Sequence, residues 1–350
     1  MIERRKTRQV AACSVPIGGG APIAVQSMLN KPAHDIEGNV EQAKTLEKAG
    51  CEIIRLSVPD KEAVKTLYAV KQSVSVPVVA DIHFDYRLAL ESAAAGADKI
   101  RINPGNIGSD ENVAAVAREC KTRGIPIRIG VNSGSVEKHI LKKHGGPTPE
   151  ALVESALYHV SLLEKCDFYD IVLSMKSSDV VSTVRAYELA SERCDYPLHI
   201  GVTEAGTERT GIIKSSAALG ALLLEGIGDT IRISLTADPV NEVAAGIALL
   251  KSLGLRKQGV NIISCPTCGR TKIDLTKLAN EIENRLSNLD KNISVAVMGC
   301  VVNGPGEASH ADIGIAGGDG CAVIFKGGKV LKKVSEDNII EELMAEIEKL

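Results

Sequence analysis

Ile100-Arg101-Ile102-Asn103 is a strand-length run in which aliphatic residues alternate with a cation, and the pattern returns in Ile53-Ile54-Arg55-Leu56-Ser57, Ile127-Arg128-Ile129-Gly130 and Ile231-Arg232-Ile233-Ser234. Strands of a parallel sheet are covered on both faces and usually read as nearly continuous apolar runs. Because side chains alternate faces along a strand, each segment puts aliphatic residues on one face and an Arg on the other. The aliphatic face suits helices packed outside. The Arg face, late in each strand, suits the C-terminal mouth of a barrel, where that fold holds its sites.

Working outward, short apolar runs recur, each followed by a stretch of helical periodicity. The expected strands are 23–28, 52–58, 76–82, 99–104, 125–132, 170–176, 197–204 and 230–236. Amphipathic helices are expected near 37–49, 61–73, 86–95, 110–123, 149–165, 178–194, 210–225 and 239–253. Eight βα units in about 250 residues match a closed (β/α)8 TIM barrel better than an open doubly wound sheet. Val15-Pro16-Ile17 and Gly18-Gly19-Gly20 read as a hairpin able to plug the lower end. After Gly259 the pattern changes to a CxxC turn, a helix (272–288), strands (293–298, 312–315, 321–325) and a closing helix (336–349). The expected class is therefore α/β, with a barrel over residues 1–258 and a smaller α+β domain over 259–350.

Composition narrows the chemistry. With no Trp and 3% aromatic residues, the core must be built from Ile, Val, Leu and Ala. A net charge of -3 gives no reason to expect nucleic acid or a membrane as partner, so any anion binding is local. The basic start of the chain lacks the apolar stretch of a signal peptide, and no run approaches the roughly 18 apolar residues of a membrane span. Nine cysteines without an export signal point to a cytoplasmic location and to metal-binding or catalytic thiols.

Strand parity places Arg55, Arg101, Arg128, Lys176 and Arg232 around the mouth, with Asp81, His83, His199 and Glu204. So many cations in one partly buried funnel cost several kcal/mol per unpaired ion unless an anion arrives. Phosphoryl groups suit guanidinium forks, and the loops Asn103-Pro104-Gly105-Asn106 and Asn132-Ser133-Gly134-Ser135 add donors at helix starts. The plainer alternative is a set of internal ion pairs stabilising the barrel, with His83 and His199 as core histidines and Asp81 merely orienting His83. In the second domain, Cys265-Pro266-Thr267-Cys268 presents two thiols to one centre, and Cys300 adds a third from a Gly-rich loop. Spacing leaves the fourth position open: Cys321 or His310 would complete a zinc site, and thioredoxin-like chemistry is a further option. Cys13, Cys51, Cys120, Cys166, Cys194 and Cys321 otherwise read as small buried hydrophobes.

Over essentially its whole length the chain resembles the 4-hydroxy-3-methylbut-2-enyl diphosphate synthase family. The resemblance is carried by VPIGGGAPIAVQSM (15–28), RLSVP (55–59), ADIHFDYRLA (80–89), KIRINPGNIG (99–108), RIGVNSGS (128–135), SMKSS (174–178), LHIGVTEAG (198–206), CPTCGR (265–270) and MGCVVNGPGEA (298–308). It implies a 4Fe-4S cluster in a second domain resembling sulfite and nitrite reductase modules, held by Cys265, Cys268, Cys300 and the carboxylate of Glu307. The implied reaction is two-electron reductive ring opening and dehydration of 2-C-methyl-D-erythritol 2,4-cyclodiphosphate to the linear allylic diphosphate of the non-mevalonate isoprenoid pathway. Arg55, Arg101, Arg128 and Lys176 would clamp the substrate, helped by Asn132, His199, Arg232 and Ser234. Glu204 is the preferred acid, with His83 second and Asp81 beside it. Ferredoxin or flavodoxin would donate electrons, and a homodimer would let one subunit's cluster domain cap the other's barrel. The alternatives are a pterin-binding barrel enzyme, which leaves the cysteines unexplained, and a zinc-stabilised binding module. A radical enzyme of the S-adenosylmethionine type lacks its CxxxCxxC run.

Overall fold

The computed structural model describes residues 2–256, 259–286, 289, 291–300 and 310–350. It divides into two compact units, Met1–Leu255 and Arg256–Leu350. The first opens on an antiparallel hairpin, β1 (Gln9–Ala12) and β2 (Val15–Gly18). Its turn is Cys13-Ser14, with Cys13 at φ 49, so the expected hairpin lies a few residues upstream and the glycine run leads away from it. Then come β3 (Ala24–Met28), β4 (Ile53–Ser57), β5 (Val78–Asp81), β6 (Lys99–Ile102), β7 (Ile127–Asn132), β8 (Ile171–Lys176), β9 (His199–Ile200) and β10 (Thr230–Ile231). All neighbours are parallel, in the order β8-β7-β6-β5-β4-β3-β10-β9. A bridge between Leu173 and Leu198 brings β8 and β9 together and closes the ring.

A helix follows each barrel strand: Ile36–Lys48, Ala63–Ser73, Tyr86–Ala94, Asp110–Arg123, Pro149–Glu164, Val180–Arg193, Glu208–Leu224 and Pro239–Ser252. These agree with the expected helices to within about two residues at each end, which is the ordinary ambiguity of helix termini. Asp35, Asp85, Asp179 and Asp238 start four of them by accepting a first-turn backbone N–H. The seventh and eighth strands are shorter than expected, although isolated backbone bonds, Arg232 N–H to Ile200 O and Thr236 N–H to Gly206 O, continue beyond them. The short helix Lys138–His144 was not anticipated.

The floor of the barrel is aliphatic. Val10, Ala12 and Ile17 of the hairpin pack against Ala24, Ile53, Val79 and Val172, the first inward-facing residues of four strands. Tier by tier along the axis, inward positions then turn polar: Gln26, Lys99, Arg128, His199 and Thr230 are all buried. Arg55, Asp81, Arg101, Ser174, Lys176 and Arg232 face the mouth.

The second unit is a five-stranded sheet: β11 (Asn261–Ser264), β12 (Ser294–Met298), β13 (Ile313–Gly318), β14 (Cys321–Lys326) and β15 (Lys329–Ser335). The first three are parallel and the last three antiparallel. Helices Leu275–Leu286 and Ile339–Glu348 bury their apolar faces on it, around Val295, Val297, Ile313, Ile315 and Ile324. β11 and β15 were not expected. Both are edge strands with polar or lysine-rich sequences, and only tertiary pairing identifies them.

Candidate active site and thiol cavity

Arg55, Asp81, His83, Arg101, Arg128, Asn132, Ser174, Lys176, Thr203, Arg232 and Ser234 line one cavity of about 120 Å³ at the C-terminal mouth. Strand parity therefore brings together nine of the expected residues and adds two. Ser174 shares a face with Lys176, and Thr203 continues the inward series His199, Gly201. Both positions carry the same period-two signal.

Two of the expected residues fall elsewhere. His199 sits one tier below, fully buried, with Nδ1 2.8 Å from Thr230 Oγ1 and Nε2 without a partner among the described residues. Glu204 is exposed in the loop after β9, at φ 52, and does not line the cavity. It was expected as one of two carboxylates at the mouth; the carboxylate that joins Asp81 in pairing the mouth's arginines is Glu242, buried behind Arg232. This residue comes from helix Pro239–Ser252 and takes Arg232 in a two-point grip, Nε to Oε2 at 3.1 Å and Nη2 to Oε1 at 3.0 Å. Ser27 also donates to Glu242, at 2.8 Å. No strand-parity argument reaches a residue on the enclosing helix.

The remaining charges are unequal. Asp81 accepts from Arg101 Nη1 at 2.9 Å and stands 3.7 Å from Arg55 Nε and 4.0 Å from His83 Nε2. Burial pushes the Asp81 carboxyl up, but Arg55 and Arg101, then His83 and Arg128, outweigh it and hold it well below the usual range. Burial drives Arg55 down to about 10 although Asp81 opposes this. Arg55 also lays Nη2 2.8 Å from Met28 Sδ. Arg128 is 1% exposed, and its Nε and Nη1 have no partner among the described residues. Burial, and then Arg55 and Arg101, press Arg128 well below the ordinary arginine value. The internal-ion-pair alternative thus accounts for Arg55, Arg101 and Arg232 but leaves Arg128 and Lys176 without a carboxylate among the described residues.

In the second unit Cys265, Cys268 and Cys300 line a single cavity of about 170 Å³ with Arg270, Thr271 and Gly299. The Gly299 N–H donates to Cys265 Sγ at 3.2 Å. The backbone N–H and side chain of Arg270 draw the Cys268 thiol below its ordinary value. Among the described residues, no three His, Cys, Asp or Glu side chains converge closely enough for one metal ion. His310 is exposed and Cys321 begins β14; neither lines this cavity. Glu307 lies outside the described residues.

A (β/α)8 barrel with an undercompensated cationic mouth, joined to a smaller unit with a thiol-lined cavity, defines a class of two-unit barrel enzymes. The chain belongs to the GcpE family: it matches the GcpE TIM-barrel domain over residues 7–247 and the GcpE protein C-terminal domain over residues 261–349. Among its relatives, the 4-hydroxy-3-methylbut-2-en-1-yl diphosphate synthase (flavodoxin) of Caldanaerobacter subterraneus subsp. tengcongensis is 61% identical, across 100% of this chain and 99% of the relative. The protein of the same name from Clostridium acetobutylicum is 57% identical, across 100% of both chains. Among solved structures, Yersinia pestis dihydropteroate synthase in complex with a sulfonamide drug aligns with a TM-score of 0.51 at 13% identity, over 71% of this chain and 100% of that one. That likeness concerns the barrel fold alone. No helix among the described residues is long and apolar enough to cross a membrane.

Proposed function

We infer that this chain catalyses the reductive ring opening and dehydration of 2-C-methyl-D-erythritol 2,4-cyclodiphosphate to 4-hydroxy-3-methylbut-2-enyl diphosphate in isoprenoid synthesis. The observation that carries the reading is the mouth cavity, whose Arg128 and Lys176 have no carboxylate partner among the described residues and call for a ligand bearing two negative charges. A cyclic diphosphate has one ionised oxygen on each phosphorus and matches that deficit. The names of the relatives support the same product and name flavodoxin as the electron donor. A pterin-binding enzyme would leave the second unit without a role.

Cys265, Cys268 and Cys300 would hold a 4Fe-4S cluster, with Glu307 as the fourth ligand. Three soft donors spread around one cavity fit a multi-iron cluster better than a closed tetrahedral zinc ion. When bound, the cluster would supply two electrons, one at a time. The chain's own residues do the rest. Arg55, Arg101, Arg128 and Lys176 clamp the phosphoryl groups, with Asn132, Arg232 and Ser234 beside them. As a ring C–O bond breaks, charge develops on the freed phosphate oxygen, and preorganised guanidinium groups stabilise it without reorganisation. A hydroxyl leaves as water, which needs a proton. Glu204 is proposed as its source, and its left-handed backbone is the kind of strain that collects at functional loops. His83, on the cavity rim beside Asp81, is the second choice, and His199 supports the site from below.

The testing experiment is anaerobic turnover of the cyclodiphosphate with reduced flavodoxin, alongside iron and sulfide analysis. Colourless protein containing zinc would favour a binding module instead. Glu204→Gln should suppress turnover while leaving the cluster absorbance intact, and normal turnover would remove its role. We further propose a homodimer in which one protomer's thiol-bearing unit caps its partner's barrel. Mixing inactive Lys176→Met with inactive Cys265→Ser should then restore activity, and an inactive mixture counts against the cap.

A further inference from the structure

Lys176 ends β8 at the cavity, 8% exposed, with its Nζ close against the residue that follows β9: a Cβ on Gly201 would lie 3.4 Å from it. The charged and titratable groups around it come from every side. They are Arg128 on β7, Arg101 on β6, Arg55 on β4 and Arg232 just after β10, with His199 on β9 beneath and His83 on the rim. The available carboxylates are committed elsewhere, Asp81 to Arg101 and Arg55, and Glu242 to Arg232. Among the described residues Lys176 has no ion pair. Five largely buried cations therefore share two carboxylates. Four of the five are arginines, which do not release their proton in proteins, so the lysine is the one group able to relieve the repulsion.

We propose that Lys176 stands as a neutral amine in the free enzyme and takes up one proton from solvent when a doubly charged cyclic diphosphate enters the cavity. The inference rests on the substrate reading above and extends it to the charge state in which the site waits. Burial, followed by the fields of Arg55, Arg128, Arg232 and Arg101, presses Lys176 well below the ordinary lysine range, in the direction the geometry requires. The arriving phosphoryl oxygens reverse that field. The proton moves from water to the Nζ lone pair, and the resulting ammonium donates to the ligand and stands beside the oxygen that ring opening will free. Because the complex holds a proton that the free enzyme lacks, affinity is highest at the acid end of the window and falls as pH rises. The fall should be about tenfold in Kd per pH unit where a full proton is exchanged.

Lys99 is the internal control. It is fully buried one tier lower on β6, its Nζ has no partner among the described residues, and burial and then Arg128 press it down as well, but it does not line the cavity. The experiment is anaerobic titration calorimetry of the oxidised holoenzyme with the cyclodiphosphate, without reductant, in Hepes and in Tris at one pH. The difference in heat counts protons, and phosphate buffer is avoided as a competitor. Wild type and Lys99→Met should take up about one proton. Lys176→Arg, permanently charged, should bind with a buffer-independent heat. Buffer-independent heat in wild type, uptake retained in Lys176→Arg, or uptake lost in Lys99→Met would each overturn the assignment. Should the arginine variant bind too weakly, lysine labelled with 13C at Cε gives a second measurement. The resonance absent from Lys176→Met should move from the amine to the ammonium position on ligand addition, and an ammonium signal in the free enzyme refutes the proposal. Absence of any binding to wild type would instead refute the substrate reading itself.

Discussion

A methyl group on Gly130 would stand 2.5 Å from Arg101 Nε and 2.9 Å from its Nη2. The glycine in Arg128-Ile129-Gly130 is therefore a space kept for the neighbouring strand's guanidinium. Gly130→Ala should push Arg101 off Asp81 and weaken cyclodiphosphate binding roughly ten- to a hundredfold, the worth of a hydrogen bond between charged groups. Calorimetric titration of the variant against wild type would measure this. Asp81 carries a second expectation. Its carboxyl is held low in the fold by the arginines, so its contribution to stability is complete above the unfolded value near pH 4 and drains away as pH falls toward the lower folded value. Urea unfolding midpoints of wild type should fall on acidification below about pH 4, and the Asp81→Asn variant should lack that component. At this scale the strand alternation reported the arginines well, because a period of two says which side chains share a face. It is silent on distance along the barrel axis, so His199 was read as a mouth residue although it lies a tier beneath.

The strands and helices of the barrel were legible because short aliphatic runs alternate with longer stretches of helical periodicity. β11 and β15 carry neither. Lys329-Val330-Leu331-Lys332-Lys333 forms a strand because β14 pairs with it, and that partner lies across a turn. Glu242 was hidden for a related reason: it faces inward from a helix whose other residues read as ordinary packing. The hairpin β1–β2 was half legible, its existence announced by its turn-rich flank and its register decided by Ile17 beneath the barrel. Ile17→Ala should remove about 2–5 kcal/mol of stability by leaving a void under Ile53 and Val79. Substrate affinity, set two tiers away, should stay near wild type. Thermal unfolding and a binding isotherm on the same variant separate the two effects, and a large loss of affinity would show the floor and the mouth to be coupled.

Two compact units with separate cores predict two unfolding events. If the three thiols hold the proposed cluster, binding free energy is also folding free energy for the smaller unit. Stripping iron with a chelator in air should lower the transition of Arg256–Leu350 and leave that of the barrel unmoved, as read by calorimetry with and without treatment. Equal shifts in both transitions would contradict the division. The hairpin beneath the barrel has one more consequence, for traffic. With Val10, Ala12 and Ile17 sealing the far end, the cationic chamber is a cul-de-sac, so whatever enters must back out through the same doorway. Reactant and spent product then queue for a single opening. The linear diphosphate should accordingly inhibit as a pure competitor of the cyclic one, at a strength set by how firmly the same guanidinium groups hold on to what they have finished with.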